Sequence, residues 1–258
     1  MGSVRVNCKI NLGLYIVRKR PDGYHDLETV FYPTDFFSDT LTTEPSARDL
    51  EFVCRSPWDT GADSDNLCVK AFRMLQKDYG IHGVRMVLEK GIPIGAGLGG
   101  GSADAAFALK ALAQHFGLPL TLEQLHHYAA ELGSDVPFFI HNSPMYATGR
   151  GEILTPVSLD LSDYRIEIVK PDVSVSTKEA YAGITPRVPV LHVADIIQHP
   201  VEEWRGLLHN DFEESIFQRH PVLADLKAQM YAQGAVYAAM TGSGTAIFGL
   251  FPKKRAAL

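Results

Sequence analysis

Residues 93–106 read Pro-Ile-Gly-Ala-Gly-Leu-Gly-Gly-Gly-Ser-Ala-Asp-Ala-Ala and place five glycines, Gly95, Gly97, Gly99, Gly100 and Gly101, within seven positions. Without a Cβ, the backbone can take positive φ and turn successive N–H groups toward one point. An alternating apolar stretch, Val84, Met86 and Leu88, precedes the run, and alanine-rich helical sequence follows it. The helix start adds unpaired N–H donors and the positive end of a dipole. Together they form a cradle for a phosphate. A flexible linker would also use glycines, but it has no need of Ser102 as a helix N-cap ahead of Ala-Asp-Ala-Ala-Phe-Ala-Leu.

The common phosphate loops do not fit. A P-loop supplies Lys and then Ser or Thr after its last glycine, whereas Gly101 is followed by Ser102-Ala103. A dinucleotide fingerprint can be forced as Gly95-x-Gly97-x-x-Gly100. That loop belongs after the first strand of its fold, with an acidic residue about 20 positions on. Here it opens only at residue 93.

The 258 residues suffice for one large domain or two modest ones. The 24 basic and 30 acidic residues give a formal net charge of −6, and no long basic run exists, which argues against a nucleic-acid partner. Lys253-Lys254-Arg255 is short and reads as a solvated terminus. Cys8, Cys54 and Cys68 lack metal-ligand spacing and imply a reducing compartment. The start lacks a signal-peptide core, and no window reaches 18 consecutive apolar residues. The expectation is a cytoplasmic protein without a membrane span.

Alternation predicts a strand from Val4 to Ile16, a turn at Arg20-Pro21-Asp22-Gly23, and strands at 27–37, 50–54 and 84–89. Helices are predicted at 66–79 (stopped by Gly80), 102–116 (stopped by Gly117) and 122–132 (opened by a Thr121-x-x-Gln124 capping box). Pro137 predicts a loop at 134–137, followed by a buried strand from Phe138. Polar, turn-forming texture near 150–164 marks a boundary, giving domains 1–155 and 156–258. The second half reads as a strand at 165–170, then a helix from the Ser176-x-x-Glu179 box. Helices at 193–198, 203–217 and 222–233 follow, then strands at 236–240 and 246–251 around the loop Thr241-Gly242-Ser243-Gly244. Strands and helices mix without regular alternation, so the fold class is α+β in two domains.

Phosphoryl transfer also needs a base and charge neutralisation. Lys9 lies in an otherwise apolar strand, and Asp135 sits on a loop after a helix. On spacing alone, Lys9 is an exposed edge-strand lysine and Asp135 a turn or cap residue.

Residues 7–15, the 93–106 loop and residues 241–244 resemble the three motifs of the GHMP kinases, which include galactokinase, homoserine kinase and mevalonate kinase. Lys9-Ile10-Asn11-Leu12, Asp22-Gly23-Tyr24-His25, Asp65-Asn66-Leu67, Gly97–Ala106 and Leu132-Gly133-Ser134-Asp135-Val136-Pro137-Phe138 resemble one branch more closely. That branch serves the non-mevalonate isoprenoid pathway. It transfers the ATP γ-phosphoryl to the 2-hydroxyl of a cytidine-diphosphate-linked sugar alcohol. Gly149-x-Gly151-Glu152 and the 241–244 loop fit too, so the match runs from about residue 5 to residue 251.

The resemblance implies a ribosomal-protein-S5-like N-terminal domain and a ferredoxin-like C-terminal domain. It makes Asp135 the base that accepts the substrate hydroxyl proton and Lys9 its partner; a nearby ammonium keeps a carboxylate ionised and steadies an alkoxide-like oxygen. Asn11, two residues from Lys9, would orient the acceptor. Gly95, Gly97, Leu98, Gly99, Gly100, Gly101 and Ser102 would hold the ATP phosphates, with Asn66 and Lys90 near the adenine. Mg²⁺ is expected, with Ser102 a candidate contact, while Asp104 could repel phosphate, bind Mg²⁺ through water or complement the helix dipole, the last reading being favoured. Tyr24, His25, Tyr181 and, more weakly, Thr177 match the cytidine end, where an aromatic pair can sandwich a pyrimidine and His25 can read its edge. Gly242 and Ser243 would approach the substrate phosphates. The resemblance also implies a further helix and strand after the last predicted strand, where this sequence has only Pro252–Leu258.

A kinase for a base-free acceptor, such as homoserine or a mevalonate derivative, is the first rival, but it leaves Tyr24, His25 and Tyr181 without a task. A non-catalytic nucleotide sensor would be expected to lose Lys9 or Asp135 first. A nucleic-acid role is opposed by the acidic balance. A monomer or weak homodimer is expected.

Overall fold

β1 (Gly2–Lys19) is buried on both faces from Val6 to Ile16, which explains why polar Asn7, Lys9 and Asn11 can share one face with no solvent beside them. The computed structural model describes residues 2–253; Lys254 and Arg255 of the basic terminus lie outside the described residues. The chain forms two compact units interleaved in sequence. One comprises the chain up to Cys8, Phe37–Ile94 and Gly99–Ser143; the other comprises Lys9–Phe36, Gly95–Leu98 and the chain from Pro144. The position between residues 155 and 156 falls inside the second of these.

In the first unit, the far half of β2 (His25–Pro45) pairs antiparallel with β4 (Val84–Glu89), from Thr40 opposite Glu89 to Pro45 opposite Val84. β3 (Leu50–Arg55) lies parallel to β4, joined through α1 (Leu67–Tyr79). Asn66 caps α1 by accepting from Cys68 N, and Gly80 ends it at φ 64°. α2 (Gly100–Phe116) packs on α1, α3 (Leu122–Leu132) and α4 (Val136–His141). The Thr121/Gln124 capping box is formed in full.

Two expectations fail here. α2 begins at Gly100 with Gly99 (φ 73°) as its cap, so Ser102 sits inside the first turn. The glycine at 99 takes the left-handed conformation that lets the chain enter the helix early. Residues 136–141 are helical, not a loop and strand: Pro137 stands in the first turn, where its missing N–H costs nothing.

In the second unit, the near half of β2 pairs with β5 (Met145–Thr148), which hairpins into β6 (Ile153–Pro156). β7 (Tyr164–Val169) leads to α5 (Thr177–Ala182), where Ser176 accepts from Glu179 N, and then to α6 (Val193–Ile196). The helix expected over 203–217 is shorter. A 3-10 turn at Val201–Glu203 and further turns through Leu207 precede α7 (Phe212–Arg219), and Leu14 of β1 takes His209 and Asp211 as backbone partners just before the helix opens. α8 (Pro221–Ala232) leads to β8 (Tyr237–Met240) and β9 (Ile247–Pro252), which form a sheet ordered β7-β9-β8. Its core gathers Leu14, Ile16, Phe212, Ile216, Leu223 and Met240. Among the described residues, no helix is long and apolar enough to cross a membrane.

Candidate active site

Lys9 is buried, not an exposed edge residue. Its ammonium donates to Asn11 Oδ1 at 2.5 Å and to Gly97 O at 3.1 Å, and lies 5.0 Å from the centre of the Phe31 ring. Each contact compensates part of the desolvation of the charge. Asn11 is fixed in turn. Its amide donates to Thr29 Oγ1 at 3.1 Å, and its backbone N–H donates to Thr241 Oγ1 at 3.0 Å. Thr241 Oγ1 lies within hydrogen-bond distance of both Gly97 O and Asn11 Oδ1.

The 95–98 segment is held from both sides. Lys9 N donates to Leu98 O, and Ala246 N donates to Ala96 O. Gly97 (φ +75°) lies against the 241–244 loop so closely that a Cβ would stand 2.0 Å from Thr241 O. Two of the three glycine-bearing motifs therefore meet backbone to backbone. Asn210 fixes the second of them: its amide donates to Met240 O and Gly242 O, both at 2.8 Å. Gly242 is buried at φ +57°, and Ser243 is half-buried beside it.

In the first unit, Gly99, Gly100, Gly101 and Ser102 form the start of α2. A Cβ on Gly100 would stand 2.9 Å from Ile92 Cγ2, whereas a Cβ on Gly101 would meet nothing within 4 Å. Lys90 is buried between Asp39 and Asp104, its Nζ 2.5 Å from Asp104 Oδ2. Asp104 thus pairs with Lys90 and does not serve the helix dipole, as its place on the buried face of α2 requires. One ammonium serves two carboxylates, and Asp104 Oδ1 has no hydrogen-bond partner. Burial pushes the Asp104 carboxyl up to about 8, against the opposing pull of Lys90. Burial works to lower the Lys90 ammonium, but the charges of Asp104 and Asp39 raise it overall. Asn66 is half-buried, and its side-chain oxygen is engaged in capping α1.

Asp135 stands half-buried at the head of α4, at the cap position but without a side-chain capping bond. The other end of α4 is pinned. Asn142, left-handed at φ 53°, exchanges two amide hydrogen bonds of 3.0 and 2.9 Å with Asn7.

On the second unit, His25 and Tyr181 stack, with ring centroids 4.8 Å apart and planes 25° from parallel. Tyr181 also meets Phe212 edge-on at 4.9 Å. Burial, then the charge of Lys19, holds the His25 imidazole below its ordinary value, which favours the neutral ring with one donor and one acceptor nitrogen. Tyr24 is 57% exposed and lies under the Arg150 guanidinium, 5.0 Å from ring centre to Cζ. Arg150 belongs to the Gly149–Glu152 turn, whose Gly149 O accepts from Leu27 N. Thr177 is exposed one helical turn before Tyr181.

The family model "GHMP kinases N terminal domain" matches residues 66–143, and "GHMP kinases C terminal" matches residues 193–258. The chain belongs to the GHMP kinases. A curated relative from Bacteroides thetaiotaomicron, named 4-diphosphocytidyl-2-C-methyl-D-erythritol kinase, is 51% identical over 249 residues, covering 95% of this chain and 90% of its own. A relative of the same name from Parabacteroides distasonis is 49% identical over 247 residues, covering 96% and 90%. A crystal structure of 4-(cytidine 5'-diphospho)-2C-methyl-D-erythritol kinase superposes with TM-score 0.80 at 35% identity, covering 96% of this chain and 90% of that one. This GHMP kinase is an α+β small-molecule kinase with both family domains. Asn66, Lys90, the glycine loop and Asp135 fall in the N-terminal match and the 241–244 loop in the C-terminal one, while Lys9, Asn11, Tyr24, His25 and Tyr181 fall outside both.

Sequence reasoning missed Asp39, Thr29, Asn210 and Arg150. Each acts by hydrogen-bonding or stacking across elements distant in sequence, so no local pattern marks it. The one available signal was a polar residue, Thr29 or Asp39, inside an apolar strand.

Proposed function

We infer that this GHMP kinase phosphorylates the 2-hydroxyl of 4-diphosphocytidyl-2-C-methyl-D-erythritol with ATP, giving the 2-phosphate and ADP. The relatives' names support the acceptor. The observation that carries the reading within this chain is the His25–Tyr181 stack, an aromatic platform that a base-free acceptor would not need. The pyrimidine takes the imidazole's place on the Tyr181 ring. That frees the neutral His25 nitrogens to meet the base edge, and exposed Tyr24 closes the other face.

In this reading Asp135 accepts the proton of the attacking 2-hydroxyl. Lys9, held by Asn11 and Gly97, steadies the oxygen as it gains charge. The N–H groups of 97–102 hold the ATP phosphates, with Asn66 toward the adenine and Gly242 and Ser243 toward the acceptor's phosphates, while the Lys90 ammonium is committed to Asp39 and Asp104. Gly101 supports this assignment. It has neither positive φ nor a neighbour a Cβ would strike, so the need for glycine comes from outside the chain.

No three His, Cys, Asp or Glu residues gather to hold a metal among the described residues, and Asp104 is turned to Lys90. The donor set suits Mg²⁺ carried mainly by the nucleotide's own phosphates, with the Ser102 hydroxyl as the chain's donor. When bound, the ion neutralises charge between the phosphates. The free cysteines support a cytoplasmic location, and the acidic balance favours a small-molecule acceptor over nucleic acid; we propose a monomer or weak homodimer.

The test is ADP release from MgATP with the cytidylyl acceptor and with the same acceptor lacking its cytidylyl group. Turnover of the first alone is expected. Equal turnover of both would remove the base site. Asp135→Asn should abolish turnover while ADP binding survives; loss of both would make Asp135 structural.

A further inference from the structure

Asp39 lies on β2, fully buried and more than fifty residues before the glycine loop. Its Oδ1 accepts from Gly91 N at 2.6 Å and Ile92 N at 2.7 Å, the backbone that turns out of β4 into Pro93. Its Oδ2 accepts from Lys90 Nζ, which donates onward to Asp104 on α2. Gly91 is pressed on the same strand, since a Cβ there would stand 2.4 Å from Ser38 O. One carboxylate therefore grips the entry of the loop directly and its exit helix through Lys90. The two ends also touch, with Ile92 against Gly100.

We propose that Asp39 is a positioning residue for nucleotide binding, holding both ends of the 93–99 loop so that its N–H groups are aimed at phosphate before the nucleotide arrives. The inference rests on the reading that this loop holds the ATP phosphates. Asp39 does not touch the nucleotide. It acts through two amides and one ammonium, and charge-assisted bonds of this kind are the strong ones. The backbone they hold would otherwise have to be ordered by the ligand, which weakens binding.

The experiment measures the Kd of ADP and of adenosine by calorimetry for the wild type, Asp39→Asn and Asp39→Glu. Asparagine can still accept from Gly91 and Ile92 but turns an NH₂ toward Lys90; glutamate keeps the charge and displaces it. Both variants should weaken ADP about tenfold or more and adenosine less than about threefold. Equal weakening of both ligands, or none, overturns the proposal. A wild type that binds ADP no tighter than adenosine refutes the phosphate reading instead, so the two failures are distinct. Amide hydrogen exchange on the wild type covers the case in which neither variant folds. Gly91 and Ile92 should already be protected without ligand and gain less than about twofold with ADP. Protection that arises only with ADP would mean that the nucleotide, not Asp39, builds the loop.

Discussion

Alanine at Gly97 tests the contact between the two glycine loops, and alanine at Gly95 is its control. Gly95 and Gly97 take nearly the same left-handed conformation, φ +63° and +75°. An L-residue there costs about 1–2 kcal/mol in either position. The surroundings differ. A Cβ at Gly95 meets nothing within 4 Å, but at Gly97 it stands 2.0 Å from Thr241 O and 2.8 Å from Thr241 C. Contact distance is about 3.5 Å, so the backbones must part by roughly 1 Å or more. Forced overpacking adds about 1–3 kcal/mol. Gly97→Ala should therefore cost about 2–5 kcal/mol and Gly95→Ala about 1–2.

At about 2–4 °C per kcal/mol for a chain near this size, Gly97→Ala should melt about 2–12 °C below Gly95→Ala. Gly242→Ala should fall between them, because its Cβ would stand 3.0 Å from both Gly97 Cα and Gly97 O. Turnover should follow the same order. Parting the loops withdraws Gly97 O from Lys9 Nζ and Thr241 Oγ1. Thermal melts and steady-state ADP release on the three variants decide the matter. Equal melting and equal kcat for Gly95→Ala and Gly97→Ala would show that only backbone conformation matters and that the loop contact contributes nothing.

Asp104→Asn should stabilise the protein, and more so as pH rises. A carboxyl raised from its ordinary 3.8 to about 8 binds more protons folded than unfolded across that interval, so wild-type stability falls as pH climbs through it. Unfolding free energies of both proteins from urea melts should diverge between pH 5 and 8, by at most about 4 kcal/mol; a constant difference would mean that the carboxyl is ionised throughout. Gly101→Ala should leave the melting temperature unchanged or raise it by about 2–4 °C through helix propensity, yet raise the KM for ATP about tenfold. An unchanged KM would show that no phosphate approaches this turn. Tyr181→Ala should raise the acceptor KM about tenfold or more with the ATP KM nearly unchanged, and Tyr181→Phe should restore it, since the face of the ring carries the stacking. An unaltered acceptor KM in Tyr181→Ala removes Tyr181 from the base site.

What could be read in advance was whatever local physics decides. Gly80 and Gly117 end their helices at positive φ as their composition demands, and the Thr121/Gln124 box needs only four consecutive residues. What could not be read was whatever tertiary partners decide. Pro137 signals a break by itself, but it is tolerated in the first turn of α4, whose far end is tied to Asn7 more than a hundred residues away. Lys9 looks like a surface lysine until Asn11, Gly97 and Phe31 surround its ammonium, and Asp104 looks like a dipole partner until Lys90 reaches it. The pattern has a common cause. A buried charge is affordable only where several groups from separate elements converge on it. Sequence periodicity reports the elements and not their convergence. The polar residues inside apolar strands, Asn7, Lys9, Asn11, Thr29 and Asp39, are where such convergence must be sought, because each would be too costly to bury without it.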